Sequence, residues 1–419
     1  MFLEGGKIGL AETLINASIS FLTDIITSYD GHEQRLKVRQ SPRLSYSFTY
    51  DAMTKFDAQW LKSIIRIPKT DIYYVPMWHR GCYLSEDYYA GGVMYIDEEF
   101  EYCFNNCDVF EVFVRDSPLS SFVNEYRNIK RFGAGYVGLN KRIEKYLLAS
   151  NTWIFPMRPC YIQTPAKLDY VYANGASTAI VFEDCCERAS IKLPNNYINN
   201  YQQHDKYNPF KLPEFFNNHV VCLLTPQWVE DSDTNLSVDK LFNTMDTKTG
   251  ILQYDLRNAK SYDLHTLAIS LMSIQQINNM YRFFYQMSGR YKSFYCPTWV
   301  NDVEVSLPFE ATAKAIYTEM PLEQFYKNNT RRKYIVVFTK DWKSFIFRID
   351  DISSEYVVDR LYTKLMVYGD IYEDIPLNNI LMVSFFNLVR FNSDDLSLGF
   401  ESNTVANTTI TLQEVDDTE

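Results

Sequence analysis

Polar and apolar residues alternate from Arg43 to Tyr50, with Leu44, Tyr46, Phe48 and Tyr50 on one side and Ser45, Ser47 and Thr49 on the other. That period of two marks a half-buried strand. After Asp51 the spacing lengthens: Phe56, Trp60 and Ile64 fall four apart, with Leu61 and Ile65 beside them. A stripe at that spacing predicts a helix over residues 51–66, capped by Asp51. Pro68 ends it, and Tyr73-Tyr74-Val75 resumes strand. The second half repeats the succession. Residues 264–271 read as strand, Ile274, Ile277, Tyr281 and Phe284 mark a helical face over 272–287, and Gly289 stops the helix.

Longer blocks recur in the same order. Residues 71–78, ending in Pro76-Met77-Trp78, are matched by 292–299, ending in Pro297-Thr298-Trp299. A hairpin-like run at 102–110 is matched by 336–345. Residues 168–184 close the first half as 396–414 close the second, with Arg158 and Arg390 preceding the closing blocks. Gly31 and Gly250 occupy matching turns ahead of the strands. Three collinear matches predict two copies of one fold. The repeat anchors are therefore Gly31, Pro76, Trp78, Arg158, Gly250, Pro297, Trp299 and Arg390. In the Pro-x-Trp element, proline ends a strand because it cannot donate to a ladder, and the tryptophan caps a small core. The expected class is α+β, mainly β: two tandem antiparallel sandwich or barrel domains, each with a flanking helix. The first covers 1–185, with a short amphipathic lead-in over 1–29, and the second covers 249–419. A connector or insertion, 186–248, lies between them; it is rich in Asn, Gln and Tyr and holds one strand-like run, 219–224.

Composition sharpens this. The 419 residues suit two domains of ordinary size. The 32 Tyr and 28 Phe fit pleated, half-buried surfaces and subunit interfaces. A formal net charge of −11 argues against wrapping duplex nucleic acid, which needs a basic face. It suits a duct that DNA passes through without sticking. The eight cysteines lack the paired spacing of a zinc site and are expected to be reduced. No segment has the form of a signal peptide, and no run approaches the roughly 20 apolar residues of a membrane span, so a soluble protein is expected.

Catalytic chemistry is hard to find. None of the five histidines has metal-ligand spacing with another, and no nucleophile elbow, phosphate-binding loop or dinucleotide fingerprint is present. Ser288-Gly289-Arg290-Tyr291-Lys292 reads as a basic turn after a helix. The carboxylates at 97–99 and 183–184 read as charged turns. The expectation is no catalytic residues, no cofactor and no metal.

One segment carries a resemblance. Gly31-His32-Glu33-Gln34-Arg35, followed by alternating aromatics, a helix and an aromatic Pro-x-Trp strand, resembles the N-terminal pattern of distal-tail-type proteins of tailed bacteriophages. Ser288-Gly289-Arg290 resembles the Gly-Arg turn of that pattern, and residues 389–396 resemble endings of phage tail structural proteins. The second half departs from the pattern, because Gly250-Ile251-Leu252-Gln253-Tyr254 keeps only Gly and Gln. The resemblance is best over 30–80 and 250–300. It implies tail-tube-like domains in a distal-tail or hub-like ring around the DNA channel, built from three or six chains. Its implied partners are other copies of itself and tail tube, hub and fibre proteins, with DNA only in passage and no membrane. Its implied place is the virion tail, after synthesis in the host bacterial cytoplasm. Two other readings stay open: a receptor- or glycan-binding tail adhesin, and a tail-borne cell-wall hydrolase.

Overall fold

Alternating segments form strands and the two four-spaced stripes form helices, in a mainly β molecule dominated by one large antiparallel sheet. The computed structural model describes residues 15–28, 32–52, 55–66, 72–89, 91–97, 109–114, 123–133, 135–163, 167–172, 175–185, 235–246, 248, 250, 252–322, 332–341, 343–369 and 374–415. Residues 186–234 of the expected connector, with its expected strand at 219–224, lie outside them, as do Gly31 and residues 102–108 of the expected hairpin; residues 235–246 of that connector are instead a strand of the second half.

The first half begins with β1 (Ile15–Ser20), the hairpin β2 (Thr23–Thr27) and β3 (Glu33–Lys37), and β4 (Arg43–Ala52). Then come α1 (Lys55–Arg66), β5 (Tyr73–Pro76), and the short strands β6 (Cys82–Tyr83), β7 (Tyr88–Tyr89) and β8 (Val93–Tyr95). It continues through β9 (Val109–Val114), β10 (Val123–Gly133), β11 (Tyr136–Leu139) and β12 (Tyr146–Leu147) to β13 (Thr152–Ile162), β14 (Asp169–Tyr172) and β15 (Gly175–Asp184). The second half has β16 (Asn235–Asp246), β17 (Leu252–Leu271), α2 (Ile274–Met287), β18 (Phe294–Pro297) and β19 (Ala315–Thr318). β20 (Tyr334–Thr339), β21 (Ser344–Val357), β22 (Arg360–Tyr368), β23 (Ile380–Phe391), β24 (Asp395–Phe400) and β25 (Ala406–Glu414) complete it.

Strand pairing follows one order in both halves. β4 pairs with β15, β15 with β13, β13 with β5 and β9, β9 with β10, β10 with β11, and β11 with β8. Likewise β17 pairs with β25, β25 with β23, β23 with β18 and β20, β20 with β21, β21 with β22, and β22 with β19. Registers agree residue by residue: Phe48 faces Ile180 and Tyr50 faces Thr178, as Leu267 faces Ile410 and Ile269 faces Thr408. The hairpin β20–β21 thus corresponds to β9–β10, C-terminal to the run at 102–110 that its sequence resembles.

The edges of the sheet join the halves. β1 pairs along one side with β4 and along the other with β24, from Ile15 opposite Phe400 to Ser20 opposite Asp395. Over Ile15–Ser20 the expected lead-in is therefore strand, because Ala17 and Ile19 alternate inward onto the core. The largest core cluster draws on both halves, packing Phe48 and Phe182 in one continuous body with Phe284 and Phe391. Two satellite clusters sit under the Cys82–Ile154 and Val303–Phe385 regions.

Two local expectations change. Asp51 belongs to β4 and α1 starts at Lys55, and α1 buries Ala58, Leu61 and Ile64 while Phe56 is 81% exposed. The phase of β17 also moves by one residue. Asp263, His265, Leu267, Ile269 and Leu271 point inward, so Asp263 rather than Leu264 stands where Leu44 does. α2 meets its expectation: Ile277, Tyr281 and Phe284 are buried. At its start Ser273 Oγ accepts from Gln276 N as the N-cap, and Gln276 Oε1 accepts from Met272 N just before it. It ends at Ser288 and Gly289, both left-handed, with φ of 55° and 65°.

Candidate functional site: the joint between the halves

The motif segments that sequence set far apart meet at one place. The β2–β3 hairpin leaves the first half and lies on the second. There Arg390 donates from Nε to Glu33 Oε2 at 2.9 Å and from Nη2 to Glu33 Oε1 at 2.8 Å, a two-pronged pair. Arg390 Nη2 also donates to Gln413 Oε1 at 2.8 Å, and Nη1 to the Phe391 carbonyl at 3.0 Å. Arg35 donates to the same Glu33 carboxylate at 3.1 Å and reaches Ser293 Oγ at 3.0 Å and the Tyr291 carbonyl at 3.3 Å. Lys37 Nζ donates to Ser288 Oγ at 3.0 Å. The Glu-Gln-Arg segment that opens β3 therefore grips the Gly-Arg turn and the closing arginine.

Asp394 seals the other side. Its carboxylate accepts from Thr23 N at 2.7 Å, Thr23 Oγ1 at 2.9 Å and Arg290 N at 2.9 Å. A Cβ on Gly289 would sit 2.5 Å from Asp394 Oδ1, so glycine lets the turn approach this closely. Apolar contacts back the polar ones: Phe21 packs edge-on against Tyr285 and tilted against Phe284, and Arg80 lies over the Tyr281 ring.

Burial would raise the Glu33 carboxyl, but the hydrogen bonds and charge of Arg390, joined by Arg35, outweigh it and hold it below the ordinary carboxylate value. His79, buried against Tyr46, Phe48 and Phe400, moves the other way: burial, with Arg80 and Arg158 nearby, drops it well below the ordinary histidine value.

The anchors are placed as follows. Pro76 and Pro297 end their strands at matching registers, opposite Met157 and Phe386. Trp299 is fully buried and stacks on Phe338 at 5.0 Å with φ +58°. Trp78 is half-buried, in a short 3-10 turn, with its ring edge-on to Phe155 at 4.7 Å. Gly250 is exposed with φ +95°. Arg158 and Arg390 are not equivalent. Arg158 faces Val75, the position Asn387 takes against Cys296, and it lies 3.5 Å from Asp184. Arg390 faces Gln413, the position Tyr161 takes against Glu183.

Sequence reasoning passed over a second buried knot. Arg332 Nη2 donates to Asp263 Oδ2 at 2.5 Å and lies over Phe385, while Asp302 accepts from Thr298 Oγ1 and from Phe385 N. Burial pushes the Asp302 carboxyl up against the opposing pull of Thr298, Phe385 N, Arg332 and His265. Its one signal in the sequence is Asp263, a carboxylate on the inward phase of an alternating strand. These bonds tie 298–302 to β23 and Arg332 to β17. Of the carboxylates expected in charged turns, Glu183 and Asp184 instead end β15, where Glu183 lies 3.7 Å from Arg43 and Asp184 lies 3.5 Å from Arg158.

Among the described residues, no group of His, Cys, Asp and Glu has the arrangement to hold a metal ion, and no helix is long and apolar enough to cross a membrane. Cys82, Cys160 and Cys296 are buried and Cys185 is partly buried. No protein-family model matches the chain, and no curated protein matches it.

Proposed function

We propose that this chain is a non-enzymatic structural protein of a bacteriophage tail or baseplate, built from two tandem tail-tube-like domains that contribute to a ring around the DNA channel at the tail tip. The observation that carries the reading is the shared pairing order of the two halves, with the sheet continued from one to the other through β1. A repeat that extends its sheet edge to edge is the unit from which a wall is made. The resemblance of 31–35 to distal-tail proteins adds weight, because Glu33 and Arg35 work at the joint. The acidic balance suits a wall that phosphates slide past. Its partners in this reading are further copies and the tail tube, hub and fibre proteins, in the virion. Electron microscopy of phage particles labelled at this chain tests it: label at the tail tip is expected, and particles devoid of the chain overturn it.

An exposed aromatic pair favours a second reading. Tyr89 and Tyr146 are both exposed, with rings 4.8 Å apart, and such a surface stacks on sugars. Glycan-array binding lost in Tyr89→Ala would support a receptor-binding adhesin. Among the tryptophans, Trp153 packs edge-on against Tyr83, while Trp228 and Trp342 lie outside the described residues.

A further inference from the structure

We infer that a second copy of this chain docks head-to-tail on the first half, its β16–β17 arm pairing with β14 as β1 pairs with β24 within the chain. The inference rests on the two-domain reading above and names the contact that extends it.

The arms are equivalent in register. β1 lies on β4 and β2 on β3. The first part of β16 lies on the last part of β17, and the Phe242–Asp246 stretch lies on Leu252–Leu256. Ile19 opposite Leu44 corresponds to Val238 opposite Asp263, and Thr27 opposite Glu33 to Asp246 opposite Leu252. In the first half that arm reaches over to the second half. Among the described residues, the far edge of β16 takes no strand.

The receiving edges are equivalent too. Thr408 Oγ1 donates to the Ser397 carbonyl at 2.8 Å, and Thr178 Oγ1 donates to the Lys167 carbonyl at 2.6 Å, the same bond at the same register. Yet β24 is covered by β1, and β14 pairs only with β15 among the described residues. Burial follows: Phe400 is 5% exposed, while Tyr170 in its place is 57% exposed. The helices differ likewise. α2 is covered by Phe21 and Arg80 of the first half, whereas α1 leaves Phe56 open.

The joint residues change together. Arg390 is replaced at the equivalent position by Tyr161, and its partner Glu33 by Leu252. A charged pair within the chain thus has an apolar pair as its counterpart between copies. On each side a strand edge takes no further strand among the described residues, and joining two such edges, displaced along one repeat, makes a heterologous contact, which closes into a ring or continues as a filament.

The transferred register puts Ser237 of one copy opposite Lys167 of the next, as Ser18 stands opposite Ser397. Purified Ser237→Cys chain is mixed with Lys167→Cys chain under mild oxidation. A disulfide-linked dimer from the mixture, absent from either variant alone, is the expected result. Ser18→Cys with Ser397→Cys, which should link within one chain, confirms that the geometry admits the bond. Tyr161→Glu should abolish the dimer and shift native mass to the monomer with the circular dichroism unchanged. A chain that stays monomeric throughout, or that associates without the 167–237 link, overturns the inference. Chain found in tail tips without that link defeats the docking mode alone; link formation in a chain absent from virions defeats the tail reading alone.

Discussion

Replacing Arg390 by alanine leaves the Glu33 carboxylate in a site built for two positive charges. The change deletes two hydrogen bonds to Glu33 and one each to Gln413 and the Phe391 carbonyl. Both side chains are nearly enclosed, Arg390 at 2% and Glu33 at 11% exposure. Breaking a buried pair by removing one partner costs about 3–5 kcal/mol. Arg35 still donates to Glu33, so the low end applies, about 3 kcal/mol. Glu33→Gln keeps an acceptor for Arg390 and should cost less, about 1.5–3 kcal/mol for the lost charge-assisted bonds. In the double variant the two losses overlap, so the cycle should return a coupling of about 2 kcal/mol. Urea unfolding, followed by circular dichroism and tryptophan fluorescence, measures all four corners. A coupling near 0.5 kcal/mol or less, the level of an exposed pair, would refute a closed joint.

Acid gives an independent check on the same pair. The folded-state carboxyl of Glu33 is depressed, so its contribution is full above the ordinary value of 4.5 and is lost as pH falls through the lower folded value. Wild type and Glu33→Gln should therefore converge in stability as the solution is acidified. Curves that stay parallel down to the lowest pH at which the protein folds would place Glu33 in water.

Other perturbations separate the rest of the account. The neutral form of His79 is favoured in the fold, so its contribution is intact above pH 6.5 and lost below; one unit lower, about 1.4 kcal/mol should be gone, and His79→Phe should flatten that limb in pH-dependent melts. Trp299→Ala should cost about 3–5 kcal/mol in urea, and Trp78→Ala, half-buried, only about 1–2 kcal/mol. At Gly81 a Cβ would fall 2.1 Å from Phe155 Cε1, so Gly81→Ala should destabilise by about 1–3 kcal/mol, whereas Gly92→Ala, in open space, should be near neutral by thermal melt.

Periodicity exposed the elements wherever one face meets the core and the other meets water. β4, β17 and α2 have that environment, and their patterns read directly. α1 misleads because its surface carries large apolar residues: Phe56 extends a stripe that the core takes up only at Ala58, Leu61 and Ile64. The one-residue phase error in β17 has a related cause. Inward Asp263 and His265 are polar, so alternation by hydropathy favours Leu264, while the ion pair to Arg332 is what makes inward burial of a carboxylate tolerable. The joint was half legible. Glu33, Arg290 and Arg390 each stood in a flagged segment, but their convergence depends on β1 crossing to β24, a pairing between residues at opposite ends of the chain. Local sequence carries no trace of such a contact.

The unlike chemistry of the two joints follows from how each is held together. Within the chain, the arm is tethered beside its docking edge, so association needs little additional affinity. A buried ion pair is acceptable there: its desolvation cost is large, but its two-pronged geometry defines register where a sliding strand would otherwise lose the inward phase of Ala17 and Ile19. In the contact proposed between copies no tether exists, and association has to overcome the loss of translational freedom by itself. In the proposed contact the charged pair is replaced by leucine at 252 and tyrosine at 161, residue types that contribute affinity without a charge to desolvate. Transplanting the charged pair should therefore weaken assembly while sharpening its dependence on salt. A Leu252→Glu, Tyr161→Arg chain that associates more tightly than wild type at physiological ionic strength, by sedimentation, would show that charge rather than apolar contact limits the inter-copy joint.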